Sequence, residues 1–189
     1  LHPEQRVDRT QCRLPCLERL TAGAIDLALR QAALEPDAIL ISSAFAGAGL
    51  ISREHYEEFV LPYERRLVAG VKARHPALPV YTHTCGSIGD RLELMLATGI
   101  NGIDTLDPKP LGTVDLVDAK ETLRGRAFIK GNLDPVETLL RGSTETVSAA
   151  VDDRLRGGMP GGGYVLSSAC SVAPATPPAN LALLAELAE

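Results

Sequence analysis

Tryptophan is absent from the 189-residue chain, and aromatic residues make up only 4% of it. Such a sequence has little with which to build base-stacking platforms or aromatic cages for cationic ligands. Basic residues are also few: 19 Lys and Arg against 24 Asp and Glu give a net charge of -5. That balance lacks the electrostatic footprint of a nucleic-acid-binding protein, and no nucleic-acid partner is expected. Apolar runs such as Ala38–Ile41 have the length of a strand. None approaches the roughly 20 residues of a membrane span, so no membrane partner is expected. The opening LHPEQRVDRT lacks the apolar core of a signal peptide. Four cysteines are too few for a disulfide-stapled secreted scaffold, and a reducing cytoplasm is the expected compartment. Cysteine spacing then points first to metal or catalysis.

What the chain does have is the composition of one globular domain, with 45% apolar and 23% charged residues. Helical and strand-like segments alternate along it. The pattern predicts helices over 17–34, 52–74, 88–98, 115–123, 144–156 and 178–188. Ser52 is placed to cap the second of these, and Pro62 to kink or split it. Strands are predicted over 37–42, 79–84, 102–106, 126–131 and 163–168. Strands alternating with helices imply right-handed βαβ units and a parallel sheet. Two architectures satisfy this: an open doubly wound sheet, or part of a (β/α)8 barrel, which when complete runs to about 250 residues. Periodicity does not choose between them.

The chemistry-bearing candidates lie where strands end. His83 and Cys85, in His83-Thr84-Cys85-Gly86, are two apart at the end of a strand, so their side chains point to one side. Imidazole and thiolate are preferred zinc ligands, and Gly86 lets the chain turn away without crowding. The alternative is a His and a Cys that merely pack in a core, where cysteine is common. Cys170 falls just past the fifth strand, on the edge where parallel α/β folds collect functional residues. One His and two Cys would leave a fourth zinc position open, which is the catalytic pattern. Asp104 and Asp107 flank the end of the third strand. Either suits a general acid or base, or a hydrogen bond to a metal-binding histidine; Asp104 is the one taken as the catalytic candidate. In Gly131-Asn132-Leu133-Asp134-Pro135 a strand-to-helix turn accounts for every residue type, with Asp134 as a cap. Its place beside the same edge makes Asn132 and Asp134 candidates for a substrate pocket. Cys12 and Cys16 have no second metal-ligand pair nearby, and His2, His55 and His75 read as surface residues. The glycine run at 157–163 has no phosphate-binding spacing and reads as a flexible helix-to-strand connection. No G-x-S-x-G is present, so a serine hydrolase has no support.

Taken together, His83-Thr84-Cys85-Gly86, the turn Gly131–Pro135, the ending Cys170–Asn180 and the segment Leu50–Arg66 resemble the uroporphyrinogen decarboxylase superfamily. The resemblance extends from about Leu17 to the end. It implies one domain over 1–189, the C-terminal portion of a (β/α)8 barrel without its N-terminal half: either a fragment of a longer chain, or a chain that completes its barrel by association with itself. The superfamily holds cofactor-free decarboxylases and cobalamin-dependent methyltransferases. The second branch carries an H-x-C…C zinc motif, matched here by His83, Cys85 and Cys170. True decarboxylases tend to have a Gly-His-Gly near where Cys170 falls. The resemblance therefore implies a zinc-dependent enzyme that moves a methyl group from a methylated corrinoid (methylcobamide) to a small-molecule thiol, with the corrinoid free or on a carrier protein. A decarboxylase acting on uroporphyrinogen is the second reading, and a non-catalytic module binding corrinoid or a partner is the third. One departure stands out. Where many relatives place acidic residues after the first of these strands, this chain has Ser43-Ala44-Phe45-Ala46.

Overall fold

A computed structural model describes residues 9–188. Helix α1 (Arg9–Ala32) leads into strand β1 (Ile39–Ser42), and the helix pair α2 (Arg53–Phe59) and α3 (Leu61–Arg74) connects this to β2 (Val80–Thr84). A short 3-10 turn opens α4 (Leu92–Leu96), followed by β3 (Gly102–Thr105), α5 (Leu116–Leu123) and β4 (Phe128–Leu133). The π-helical segment Pro135–Leu140, α6 (Thr144–Gly158), β5 (Tyr164–Ser168) and α7 (Pro178–Glu186) complete the order. Local chemistry sets these boundaries. The Ser52 hydroxyl accepts the His55 amide hydrogen and starts α2. Pro62 has no N–H to continue that helix, and the chain breaks at Val60 into α2 and α3.

Among the described residues the five strands form one parallel sheet in the order β1-β2-β3-β4-β5. Each strand pairs with the next in sequence. A doubly wound sheet needs a point where the strand order reverses, and there is none here. Right-handed crossovers without a reversal put every helix on one face, which is the winding of a barrel sector. Burial alternates along β2, where Val80, Thr82 and Thr84 are buried and Tyr81 and His83 are half-buried. The helix-facing side carries Ile39, Val80, Ile103 and Ile129, packed with Val68, Val71, Leu92 and Ala119. Each Val, Leu or Ile among these stabilises the fold by about 1.5–3 kcal/mol relative to exposure. A second cluster (Leu133, Leu139, Val147, Val151) lies under α6 and α7.

The opposite face is the concave side of the sector. Tyr81 and Phe128 sit 5.5 Å apart there. Phe128 lies across Gly102, where any Cβ would come within 2.3 Å of its ring. Leu40 and Val165, in the outermost strands, are 45% and 48% exposed.

The elements differ from the sequence-based expectation in several places, beginning with α1, which starts at Arg9 and not at 17. Strand β4 runs on to Leu133, so Gly131 and Asn132 belong to the strand and not to a turn. Asp134 and Pro135 then start a helical segment, with the Asp134 carboxylate accepting the amide hydrogens of Val136 (2.7 Å) and Glu137 (2.9 Å). The helix expected over 88–98 is reduced to a 3-10 turn and five residues, because the side chain of Arg91 is drawn inward to bind the β1–α2 loop.

Candidate metal centre

Three sequence-predicted residues meet at the C-terminal edge of the sheet. His83 is the penultimate residue of β2, Cys85 follows that strand, and Cys170 lies two residues beyond β5. One ligand atom from each lies within 4.8 Å of the others. His83 Nε2 is 3.3 Å from Cys85 Sγ, and the two sulfurs are 4.0 Å apart. Tetrahedral zinc, with bonds of about 2.3 Å to sulfur and about 2.05 Å to nitrogen, separates two sulfurs by about 3.8 Å and sulfur from nitrogen by about 3.6 Å. The donor set and its spacing fit zinc with small side-chain adjustment.

The ring orientation also fits. His83 Nδ1 lies 3.0 Å from Asp104 Oδ2, which leaves Nε2 facing the thiols. Asp104 is 5% exposed. Its other oxygen accepts the Thr105 amide hydrogen (3.0 Å) and Lys130 Nζ (2.8 Å). Of the two roles open to Asp104, these contacts suit a carboxylate that orients the His83 ring. Burial, with the Cys170 thiol beside it, pushes the Cys85 thiol up to about 11. Asp107 accepts a hydrogen bond from the Gly86 amide, and its own burial raises its carboxyl above the usual range.

A cleft of about 330 Å³ opens beside the two thiols. Pro108, Pro110, Leu111, Pro135 and Val136 give it apolar walls. Apart from the thiols, its ionisable lining groups are Asp107, Asp134 and Glu137. Asp134 borders the cleft and also caps the helical segment at Pro135. Asn132 does not line it: it is 2% exposed, and its side-chain amide donates to Leu106 O at 2.9 Å. Cys16 is exposed, His55 packs tilted against Phe59 with ring centres 5.9 Å apart, and Cys12 and His2 lie outside the described side chains.

Sequence reasoning missed three contributors. Lys130 is the first, and a lysine inside the strand-like run RAFIKG was its signal. The second is Glu64, a buried acid that reaches the end of β1. From α3 it accepts hydrogen bonds from Ser43 and from Tyr56 (2.9 Å), and burial raises its carboxyl above the usual range. The third is Arg91, fully buried, which donates to Ala46 O (2.7 Å) and Ile51 O (3.3 Å) and stacks 5.4 Å from the Tyr56 ring centre. It ties down the β1–α2 loop, whose Gly47 packs on the Cys85 carbonyl.

The sequence profile of the uroporphyrinogen decarboxylase (URO-D) family matches residues 11–189. The methylcobamide:CoM methyltransferase MtbA of Methanosarcina acetivorans is 36% identical over 155 residues, covering 81% of this chain and 42% of that protein. A uroporphyrinogen decarboxylase of Chlorobium phaeovibrioides is 31% identical over 176 residues, covering 90% of this chain and 46% of its own length. A solved methyltransferase from Methanosarcina mazei superposes with a TM-score of 0.75 at 25% identity, over 88% of this chain and 45% of that one. The chain thus spans less than half the length of these relatives. No helix among the described residues is long and apolar enough to cross a membrane. With a barrel-type parallel sheet and a family profile matching nearly its whole length, the chain belongs to the uroporphyrinogen decarboxylase (URO-D) family.

Proposed function

We propose that this chain is the metal-binding sector of a zinc-dependent methyltransferase that moves a methyl group from a methylated corrinoid to a thiol. The observation that carries the reading is the convergence of His83, Cys85 and Cys170 at zinc-compatible spacing, with a cleft beside them. Three protein ligands leave a fourth position for a substrate sulfur. When bound, zinc supplies the Lewis acidity that keeps a thiol deprotonated near neutral pH, and the corrinoid supplies the methyl group.

The chain's own residues do the rest. Asp104 receives the Nδ1 hydrogen of His83 and so presents the Nε2 lone pair. Cys85 and Cys170 give up their protons on binding the metal, so binding strengthens as pH rises. Two thiolates and a neutral imidazole balance the charge of a divalent ion. The walls formed by Pro108, Pro110, Leu111 and Val136 exclude water from the reacting sulfur. The relative named as a methylcobamide:CoM methyltransferase supports a small thiol as acceptor.

The decarboxylase reading draws on identity to decarboxylases that is nearly as high. The lining of the cleft argues against it, since a substrate bearing several carboxylates would meet Asp107, Asp134 and Glu137 there. The test is the metal content of the purified chain by mass spectrometry, beside Cys170→Ser. About one zinc per chain, largely lost in the variant, supports the reading. Thiol-dependent demethylation of methylcobalamin would then follow. A folded chain that takes up no zinc, or that turns over uroporphyrinogen, refutes it.

A further inference from the structure

Lys130 stands in β4 level with Asp104 of β3, which stands level with His83 of β2. Level residues on neighbouring parallel strands point to the same face. The three side chains form one row across the concave side: Lys130 Nζ to Asp104 Oδ1 at 2.8 Å, then Asp104 Oδ2 to His83 Nδ1 at 3.0 Å. An exposed ion pair would contribute little. Here the carboxylate is 5% exposed, so what surrounds it decides where its oxygens point.

We propose that Lys130 is a positioning residue for the metal site. Through Asp104 it fixes the ring proton of His83 on Nδ1 and presents Nε2 to the metal. The proposal rests on reading His83 as a metal ligand. A carboxylate only accepts hydrogen bonds. Lys130 and the Thr105 amide together occupy Oδ1, leaving Oδ2 for the imidazole. An acceptor at Nδ1 requires a donor there. A neutral ring carries one proton, so Nε2 is left as a lone pair, and Nε2 is the atom facing Cys85 Sγ at 3.3 Å. Without the ammonium, the Thr105 amide is the only partner left on Oδ1. The carboxylate is then free to turn, and the ring is free to take the tautomer whose Nε2–H cannot bind a metal.

The test reads the tautomer directly. Long-range proton–nitrogen NMR spectra of the metal-free, nitrogen-15-labelled full chain show which ring nitrogen of His83 is protonated, with assignment from His83→Gln. The wild type is expected as the Nδ1–H form. Lys130→Met is expected to populate the Nε2–H form and to bind zinc roughly ten- to hundredfold more weakly in competition with a chromogenic chelator. Lys130→Arg is expected to restore both. Lys130→Leu, which also removes the donor, serves if the methionine variant does not fold. A folded Lys130→Met or Lys130→Leu chain that keeps the Nδ1–H form, with zinc affinity within about twofold of wild type, overturns the proposal. A wild-type chain in the Nδ1–H form that binds no zinc refutes the metal reading instead. The tautomer comparison still judges Lys130 in that case.

Discussion

Gly47→Ala tests how the β1–α2 loop supports the metal site. A Cβ at position 47 would stand 2.2 Å from the Cys85 carbonyl oxygen and 3.5 Å from that of Ser87. Ordinary contact requires the two segments to part by about 1 Å. The loop has little freedom to supply that movement. Arg91 holds the Ala46 and Ile51 carbonyls, and the Ala48 amide donates to Ser87 O at 2.8 Å. The displacement therefore falls on the strand end that carries Cys85. Overpacking of this kind costs about 1–3 kcal/mol, and a loss of 2 kcal/mol lowers a urea midpoint by about 1 M. Zinc affinity is expected to fall roughly ten- to hundredfold, as for other changes to the supports of a ligand.

Gly49 provides the control. It lies in the same loop, with nothing within 4 Å of its Cβ position. Gly49→Ala is expected to be neutral or to stabilise by a few tenths of a kcal/mol, since alanine narrows the unfolded ensemble. Urea denaturation of the metal-free chain is the first assay, and zinc competition the second. If Gly47→Ala unfolds within about 0.5 kcal/mol of Gly49→Ala, the loop does not bear on Cys85 as argued.

Three further outcomes are expected. Burial raises the Glu64 carboxyl, so the native state holds its proton more tightly than the unfolded state. Stability should then fall as pH rises from the ordinary glutamate value through the raised one, by at most about 1.4 kcal/mol per pH unit, and level off above; Glu64→Gln should flatten that slope in pH-dependent urea titrations. The Cys85 thiol, pushed up to about 11 from 9.0, should react with iodoacetamide about tenfold more slowly than a free thiol near neutral pH in the metal-free chain. This allows a roughly hundredfold smaller thiolate fraction, partly offset by greater nucleophilicity, and peptide mass spectrometry reads it. Lys120 donates to the carbonyls of Gly158, Pro160 (2.7 Å) and Gly162 (2.9 Å), so Lys120→Met should cost about 1–2 kcal/mol and speed proteolysis at 157–163.

Much of the site was legible because it depends on local order. A strand places residues two apart on one side, so His83 and Cys85 converge by covalent geometry alone. Cys170 was placed by a rule about where strands end. What was not legible depends on distances between elements. No spacing in the sequence says that Glu64, on α3, reaches back to Ser43 at the end of β1. Arg91 drew no notice within the helix expected over 88–98, yet its guanidinium is buried and serves two loop carbonyls. The cap at Asp134 was legible, because an Asp followed by Pro is a capping residue with proline in the first helical position. Treating Gly131 and Asn132 as turn formers hid the end of β4, where Asn132 is held by its bond to Leu106.

The polar row and the apolar core are two faces of one decision about register. Ile103 pairs with Ile129, and both are essentially fully buried against the helices. That pairing forces Asp104 level with Lys130 on the other face. The pairing of Thr82 with Ile103 likewise forces His83 level with Asp104. A slip of one residue between β3 and β4 would turn Lys130 into the helix-facing core and take Ile129 out of it. Burying that ammonium among Ile103, Leu123 and Ala119 without a partner would cost several kcal/mol, and the exposed isoleucine about 1.5–3 more. The penalty that guards the core against misregistry therefore also aligns His83, the candidate zinc ligand, with Asp104 and Lys130. A core substitution such as Ile129→Ala loosens that guard at the Lys130 end of the row, although it touches neither His83 nor either cysteine.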